Sequence, residues 1–308
     1  MISSWSPPKG SESETSPCSV HPMARMVYLG TPEAAVEPLR ALVGAGHDIA
    51  LVVSRPDKRR GRGSTLVPSP VKTAAVELGL TVTDNLTDAL DVGAELGVVV
   101  AYGRIIPAEV LERLPMVNLH FSLLPRWRGA APVERAILAG DRETGVCLMA
   151  LEEGLDTGGV YAEERVEIGP DETADELRAR LVEIGTGLLV DQLRRPLGAP
   201  RPQVGEPTYA GKVTPEDLHL DWSRPAAELA RLPRVGKAWT TFRGRRLLVL
   251  RARAVGGGPP PGVLDGLVVG TVDGGLELVE VQNEGKAVQS AADWRNGARP
   301  AVGEHLGS

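Results

Sequence analysis

Residues 97–120 read GVVVAYGRIIPAEVLERLPMVNLH and contain two short, β-rich apolar runs, Gly97 to Ala101 and Val117 to His120. Such runs are typical of strands that are buried on both faces of a parallel sheet. Similar runs occur earlier in the chain, and the further strands predicted from them are Met26 to Leu29, Ile49 to Ser54 and Thr81 to Thr83. Helical patterns separate the strands, with Pro38 at a predicted first helical position and Ser69 as a predicted N-cap. This alternation predicts a doubly wound α/β domain with a mostly parallel, Rossmann-like sheet.

The second part of the chain has a different pattern. An amphipathic helix is predicted from Ala174 to Leu193, and a Pro- and Gly-rich stretch from Pro196 to Pro207 follows it. Beyond a short helix, strands separated by Gly-containing turns favour a small β-barrel or sandwich, and they are Ala238 to Phe242, Leu247 to Ala254, Leu267 to Val272 and Leu276 to Val281. We therefore expect a disordered leader over residues 1–22, a first domain over 23–195, a linker over 196–217 and a second domain over 218–308.

Composition narrows the classes of function. The formal net charge of -6 gives no overall attraction for nucleic acid, so any RNA contact must use local clusters of Lys and Arg. Cys18 and Cys147 form neither a CxxC pair nor a disulfide pattern, which favours a reducing, cytoplasmic location. The apolar runs are far shorter than the roughly 20 residues that span a bilayer, so no membrane partner is expected. Scattered histidines predict no metal site, and the turn from Gly30 to Pro32 lacks a dinucleotide-binding pattern.

The strongest chemical signal lies at residues 118–132, which read NLHFSLLPRWRGAAP. Side chains alternate along a strand, so Asn118 and His120 should point to the same face. They would lie at the carboxyl edge of the sheet, where α/β proteins place their ligands. A lone histidine in a strand is more often a core residue, and an asparagine there more often a turn residue. The surrounding residues favour the functional interpretation.

This stretch resembles the formyltransferase family that uses 10-formyltetrahydrofolate. The family's Asn-x-His pattern begins at Asn118, its Ser-Leu-Leu-Pro pattern spans Ser122 to Pro125, and its Leu-Asp-x-Gly pattern spans Leu155 to Gly158. The strings at 126–132 and 55–72 are similar to the branch of the family that acts on methionyl-tRNA. The resemblance implies transfer of a formyl group from this folate co-substrate to the amino group of methionine on initiator tRNA, with no metal.

The resemblance also implies that Asn118, His120 and Asp156 are the catalytic residues. Attack of an amine on the formyl group places negative charge on oxygen, and a hydrogen-bond donor aimed at that oxygen is typically worth about 2.7–4 kcal/mol. We expect Asn118 and His120 to be such donors. Asp156 is expected to raise the pKa of His120 and to help relay the proton that the amine loses.

Binding residues follow from the same resemblance. The expected folate contacts form two segments, Ser122, Leu123, Leu124 and Pro125, and Val100, Ala101, Tyr102 and Gly103. For tRNA, the resemblance implies a basic inserted loop and an OB-like C-terminal barrel. No acidic residue occurs between Glu228 and Asp265, although basic residues are frequent there. The expected tRNA contacts are Lys58, Arg59, Arg60 and Arg62 in the loop and Arg245 and Arg246 in the barrel.

Three functions stay open at this point. The first is formylation of methionyl-tRNA, the second is formylation of a sugar nucleotide or another small amine, and the third is RNA binding without catalysis. The Asn118, His120 and Asp156 set argues against the third, and the two basic regions argue against the second. We further expect a monomer that does not bind DNA.

Overall fold

The computed structural model describes residues 24–59 and 66–307. The predicted leader over residues 1–22 therefore lies outside the described residues, as do the predicted tRNA contacts Arg60 and Arg62. The strands of the first part are β1 (Arg25–Gly30), β2 (Asp48–Val53), β3 (Lys58–Arg59), β4 (Leu66–Val67), β5 (Val82–Thr83), β6 (Leu96–Val100), β7 (Met116–His120), β8 (Arg128–Gly129), β9 (Glu143–Ala150), β10 (Val160–Glu167) and β11 (Tyr209–Ala210).

Within these ranges, seven strands form one mixed sheet in the order β10-β9-β7-β6-β1-β2-β5. The five strands from β7 to β5 run parallel, whereas β9 and β10 add an antiparallel edge. The predicted Rossmann-like sheet is confirmed, and each of its five predicted strands is found within one residue of its predicted ends. The antiparallel edge was not predicted. Two small ladders, β3 with β4 and β8 with β11, lie outside this sheet.

The helices of this part are α1 (Val36–Gly44), α2 (Pro70–Glu77), α3 (Ala108–Leu111), α4 (Pro132–Ala139) and α5 (Ala174–Leu193). Ser69 caps α2 as expected, because its side chain accepts a hydrogen bond from the backbone N–H of Lys72. The prediction that Pro38 is a first helical residue was wrong. A 3-10 turn at Glu33–Ala35 leads into α1, so Pro38 is the third residue of that helix.

Packing of α5 decides which way the side chains of β7 point. A Cβ atom added at Gly185 of α5 would lie 3.0 Å from Leu119 Cδ2, so this glycine allows helix and strand to approach closely. Val117 and Leu119 accordingly belong to the core between the sheet and helices α1 and α5. Alternation along the strand then places Asn118 and His120 on the opposite face.

The last part of the chain contains α6 (Ala226–Leu229), α7 (Leu232–Val235) and α8 (Ala291–Ala298), and the strands β12 (Ala238–Phe242), β13 (Arg245–Val255), β14 (Leu264–Asp265), β15 (Val268–Gly270), β16 (Gly275–Asn283) and β17 (Gln289–Ser290). The sheet runs β12-β13-β16-β15-β14. Residues 304–307 join its two edges, because Leu264 donates to Glu304 O at 2.8 Å and Gly307 donates to Thr241 O at 2.8 Å. The predicted small barrel is confirmed, and it has its own core around Leu247, Val249 and Trp294.

Direct contacts hold the barrel to the first part. Arg234 of α7 donates to the carbonyls of Glu172 and Gly169, both at 2.9 Å. The stretch between the two cores is also hydrogen-bonded to the first part, through the pair Val160 and Arg201 and through the ladder of β11 with β8. It is therefore attached along its length. Among the described residues, no helix has both the length and the apolar character that crossing a bilayer requires.

Candidate active site

Asn118 and His120 lie at the carboxyl end of β7 and are 9% and 5% exposed. Asn118 pairs with Val99 of β6 and Met149 of β9, which fixes its height in the sheet. Within the part of the chain that the structure describes, its side-chain amide has no hydrogen-bond partner. The amide is thus available to a ligand at this edge.

The imidazole of His120 is held at one nitrogen. Its Nε2 lies 3.0 Å from the carbonyl oxygen of Trp127. A carbonyl only accepts, so Nε2 carries a hydrogen and donates it. The other nitrogen, Nδ1, lies 3.7 Å from Asp156 Oδ2, which is longer than a hydrogen bond. The nitrogen that faces Asp156 is therefore the one open to reacting atoms.

Burial dominates the electrostatics of His120 and lowers its pKa below 6.5. The Asp156 carboxylate and the Trp127 carbonyl both raise this pKa, but they do not offset the loss of solvent. The expectation that Asp156 raises the pKa of His120 is confirmed. Burial nevertheless keeps that pKa below 6.5. At neutral pH His120 is consequently an uncharged imidazole.

Asp156 sits on a turn with an unusual backbone. Its φ is 50°, in the left-handed region that residues with a Cβ rarely adopt. The carboxylate accepts a hydrogen bond from Gly129 N at 2.8 Å, and the Asp156 carbonyl accepts one from Gln203 Nε2 at 2.8 Å. Gly158 completes the turn, since a Cβ there would lie 2.0 Å from Ala150 O. Close packing on both sides aims the Asp156 side chain at His120.

The two segments expected to contact folate leave the same sheet edge, after the neighbouring strands β6 and β7. In the first, Ala101 has φ 48° and is exposed, whereas Tyr102 is buried and its hydroxyl has no partner among the described residues. Arg55 lies against Gly103, and its Nε is likewise buried without a partner in the described part. Two unpartnered polar atoms beside one loop suit a polar ligand.

The second segment forms the wall of a cavity. Ser122 is fully buried and donates to the Arg126 carbonyl at 2.6 Å, which closes the turn after β7. Leu123, Leu124 and Pro125 line an open cavity of about 390 Å³ that Trp127 and Val204 also border. Residues 100–103 are not among the lining residues of this cavity.

Four of the basic residues expected to meet tRNA lie in described strands. Lys58 and Arg59 are exposed on β3, paired with Val67 and Leu66 of β4. Lys72, from the same basic stretch, is instead engaged in an ion pair with Asp57 at 2.8 Å. The described ends of this basic stretch are therefore joined by strand pairing and an ion pair.

Arg245 and Arg246 are both exposed at the start of β13, after a turn in which Arg243 and Gly244 have φ values of 50° and 67°. Successive strand residues point to opposite faces, so these two arginines serve different surfaces. Arg246 lies over the ring of Trp239, 4.4 Å from its centroid, and lines a cavity of about 260 Å³ together with Lys237.

Several residues at the site have no recognisable signature of this role in the sequence. Gly129 and Trp127 fall inside the string that marks the family branch, but their backbone contacts to Asp156 and His120 depend on tertiary structure. Gln203 and Thr208 lie in a stretch that has the composition of a linker. Asparagine, histidine and aspartate are recognisable from chemistry, whereas Gly129 and Trp127 contribute backbone groups, and Gln203 and Thr208 use their side chains to bind backbone groups of the site.

The geometry of the described residues supports neither a nucleophilic role for Cys147 nor a metal site. Cys147 pairs with His120 across β9 and β7, but burial raises the pKa of its thiol to about 11, so it stays protonated and is no nucleophile. Among residues 24–59 and 66–307, no group of three or more metal-binding side chains comes together.

Comparisons with known proteins bear on both parts of the chain. Residues 24–193 match the family described as Formyl transferase, and residues 212–299 match Formyl transferase, C-terminal domain. The methionyl-tRNA formyltransferase of Roseobacter denitrificans is 46% identical over 293 residues, which cover 89% of this chain and 96% of that protein.

Solved structures extend the similarity. The N-formyltransferase from Helicobacter canadensis, in complex with folinic acid and dTDP-3-aminofucose, aligns with a TM-score of 0.63 at 16% identity and covers 85% of this chain and 99% of its own. The methionyl-tRNA formyltransferase from Clostridium thermocellum aligns with a TM-score of 0.54 at 17% identity, over 75% of this chain and 93% of its own. At these identities the structures show a shared fold.

Proposed function

This chain belongs to the formyl transferase family, and from that membership we propose that it formylates the amino group of methionine on initiator methionyl-tRNA. The formyl donor is 10-formyltetrahydrofolate, the co-substrate of this family. The observation that carries the proposal is 46% identity to a methionyl-tRNA formyltransferase, over 89% of this chain and 96% of that protein. The arrangement of Asn118, His120 and Asp156 at the sheet edge supports it.

The reaction begins with attack of the neutral amine on the formyl carbon. A tetrahedral intermediate forms, and its oxygen carries negative charge. The unpartnered amide of Asn118 donates to that oxygen, and a donor in place before the reaction stabilises the developing charge without reorganisation. Asn118 is suited to this role because β6 and β9 hold its backbone on both sides.

Proton movement completes the transfer. The attacking nitrogen must lose one proton, and the folate nitrogen that leaves must gain one, so no net proton is consumed. The uncharged imidazole of His120 can take up a proton at Nδ1, and the carboxylate of Asp156, 3.7 Å away, stabilises the resulting charge. Because Nε2 remains bound to the Trp127 carbonyl, the ring keeps its orientation during this step.

The two parts of the chain divide the work in this proposal. Formyl transfer is assigned to residues 23–195 and tRNA binding chiefly to residues 218–308, with 196–217 between them. Lys58 and Arg59, together with Arg60 and Arg62, approach the acceptor end of the tRNA, and Arg245 and Arg246 approach phosphates from the barrel. The protein acts as a cytoplasmic monomer and does not use DNA as a partner.

Folate binding is assigned to the segments Val100–Gly103 and Ser122–Pro125. The buried Tyr102 hydroxyl and Arg55 Nε support this assignment, because each lacks a partner in the described part of the chain and could bind a polar ring atom.

An acceptor assay tests the proposal. The purified protein is incubated with 10-formyltetrahydrofolate and one of three amines: initiator methionyl-tRNA, elongator methionyl-tRNA or an amino-sugar nucleotide. We expect formylation of the initiator tRNA and little or none of the other two. Preference for the sugar nucleotide would replace the proposed substrate, and inactivity with all three amines would leave RNA binding as the function.

A further inference from the structure

A short stretch between the two cores crosses the catalytic site. Upstream, Arg201 exchanges two backbone hydrogen bonds with Val160, at 2.8 and 2.9 Å. Downstream, β11 pairs with β8. Between these attachments most residues are exposed, as Val204 is at 86%, but Gln203 and Thr208 are half-buried and turn toward the site.

Gln203 uses its whole side-chain amide on the turn that carries Asp156. Its Nε2 donates to the carbonyls of Asp156 and Gly158, both at 2.8 Å. Its Oε1 accepts from Arg128 Nη2 at 2.6 Å and from Nε at 3.1 Å. A glutamine amide has two N–H groups and one oxygen, so no free capacity remains at this side chain.

Thr208 binds the loop that contains Trp127, which in turn contacts His120. Its hydroxyl oxygen accepts a hydrogen bond from Trp127 N at 2.9 Å. Its backbone adds two more bonds to the same loop, from Arg128 N to Thr208 O at 2.8 Å and from Thr208 N to Pro125 O at 3.2 Å. The Trp127 carbonyl is the group that orients His120.

The two residues that are held in this way share a strained backbone. Asp156 has φ 50° and Trp127 has φ 62°, both in the left-handed region. Residues with a Cβ persist there only where their surroundings impose the conformation. The Gln203 side chain donates to the carbonyl of Asp156, and the Thr208 hydroxyl accepts from the N–H of Trp127.

We propose that Gln203 and Thr208 are positioning residues for formyl transfer, which hold the Asp156 turn and the Trp127 carbonyl so that His120 and Asp156 face each other. The inference rests on the proposed function, because it assigns these residues to that reaction. Neither residue needs to touch the substrate. Their effect on the reaction passes through two backbone groups of the catalytic loops.

A purely structural role predicts a different result. If the stretch only attached the barrel to the first part, removing its side-chain bonds would lower stability and leave the folded fraction fully active. If it positions the catalytic groups, folded protein loses turnover, because small displacements of reacting groups cost rate. The test must therefore separate kcat from KM and from Tm.

The variants are Gln203→Leu, which removes the amide, and Thr208→Val, which removes the hydroxyl and keeps the backbone bonds. Glu206→Gln, at an exposed position of the same stretch, is the matched control. We expect kcat to fall about 10- to 100-fold in the first two variants. Their KM values for folate and tRNA should stay within about threefold of wild type, and Glu206→Gln should be unchanged.

A second readout follows the imidazole itself. NMR titration of the His120 ring, assigned with His120→Gln, should give a lower pKa in Gln203→Leu and Thr208→Val than in wild type. Both Asp156 and the Trp127 carbonyl raise that pKa, so displacing either one lowers it. A merely structural contact would leave this titration unchanged.

Gln203→Glu is measured alongside, because it keeps an oxygen for Arg128 but has no N–H for the two carbonyls, and its kcat should fall as that of Gln203→Leu does. Wild-type kcat and His120 titration in all folded variants would overturn the inference. Wild-type protein that fails to formylate the tRNA would instead overturn the proposed function, so the two failures are distinguishable.

Discussion

Opposing effects act on the pKa of His120. Burial favours the neutral ring, while the facing carboxylate and a backbone carbonyl favour the charged one. The outcome is a base that is uncharged at neutral pH and can still accept a proton beside Asp156. A histidine with a raised pKa would be protonated before the reaction and could not perform this step.

The first prediction concerns the reacting groups. Asn118→Ala and Asp156→Ala should each lower kcat by about 100-fold or more, because their interactions form mainly in the transition state. Folate binding, measured by equilibrium titration, should persist in both. Near-normal kcat in folded Asn118→Ala would refute the proposed stabilisation of the oxygen.

The second prediction concerns the pH dependence of His120. Its NMR titration in wild type should give a pKa below 6.5, and Asp156→Asn should lower it further, because the variant removes a negative charge that raises it. His47, whose pKa burial also lowers, serves as an internal reference that should not respond to Asp156→Asn. A wild-type value above 6.5 for His120 would mean that the ion pair outweighs burial.

The sequence was informative about the side chains proposed to react and uninformative about the side chains proposed to position them. Asn118 and His120 could be placed on one face because β strands alternate, and Asp156 stood out by family pattern. Gln203 could not be identified, because its role depends on a left-handed turn at Asp156 that lies 47 residues away.

At the scale of elements, the paired strands β3–β4 and β12–β13 carry exposed basic side chains. Lys58 and Arg59 stand on one, and Arg245 and Arg246 on the other. Many other basic residues are already paired, as Arg243 is with Glu304 at 2.5 Å and Arg251 is with Glu280 at 3.9 Å. The number of basic residues is therefore larger than the number of basic side chains that are free to bind phosphates.

The third prediction tests the β3–β4 hairpin. The double variant Lys58→Glu and Arg59→Glu should raise KM for tRNA several-fold and leave kcat at saturating tRNA nearly intact, because the residues are exposed and lie outside the sheet edge that carries the chemistry. Arg40→Glu is the control, since Arg40 is also exposed but lies on α1, outside the hairpin. An unchanged KM would make the hairpin a solvated connector.

The fourth prediction separates Arg245 from Arg246. Each charge reversal to Glu should weaken tRNA binding, and the salt slope of binding should fall by about one for every phosphate that the variant no longer neutralises. Since the two side chains point to opposite faces, a difference between the single variants identifies the face that meets RNA. If both variants keep the wild-type slope, the RNA surface of the barrel lies elsewhere.

Elements with strong local signals were predicted well. The helix Ala174–Leu193 was found with its predicted ends, because a capping box of Thr173 and Glu176 marks its start. The strands β9 and β10 were not predicted. The sequence signal of β10 is weak, because it is a half-exposed edge strand that is rich in Glu and lacks an apolar run. The ladder of β8 with β11 joins residues about 80 positions apart and leaves no local pattern.

At the scale of the whole molecule, two cores are joined by contacts on either side of a crossing segment. Arg234 fastens α7 to the carbonyls of Glu172 and Gly169, while residues 201–210 run along the catalytic loops. The chain that leads to the barrel is thus also part of the catalytic surroundings. In the proposed division of work, this segment therefore lies between the part assigned to formyl transfer and the part assigned to tRNA binding.

The fifth prediction concerns the leader. Removing residues 1–22 should leave kcat, KM and Tm nearly unchanged, because this Ser- and Pro-rich stretch has few apolar residues with which to dock. Assay and thermal melting of the truncated and full chains decide it. A fall in activity would assign the leader a role.

Gln203 and Thr208 lie far along the chain from the loops that they bind, so the ribosome makes these loops well before it makes the two residues. Trp127 and Thr208 are 81 residues apart, so at about 5–20 residues per second the ribosome needs roughly 4–16 s to pass from one to the other. During that interval the nascent polypeptide already contains Asn118 and His120, while the side chains that would steady Trp127 and Asp156 have yet to be made. With the roles proposed for Gln203 and Thr208, catalytic competence is acquired after the sheet can form, when the crossing segment emerges and folds onto the site.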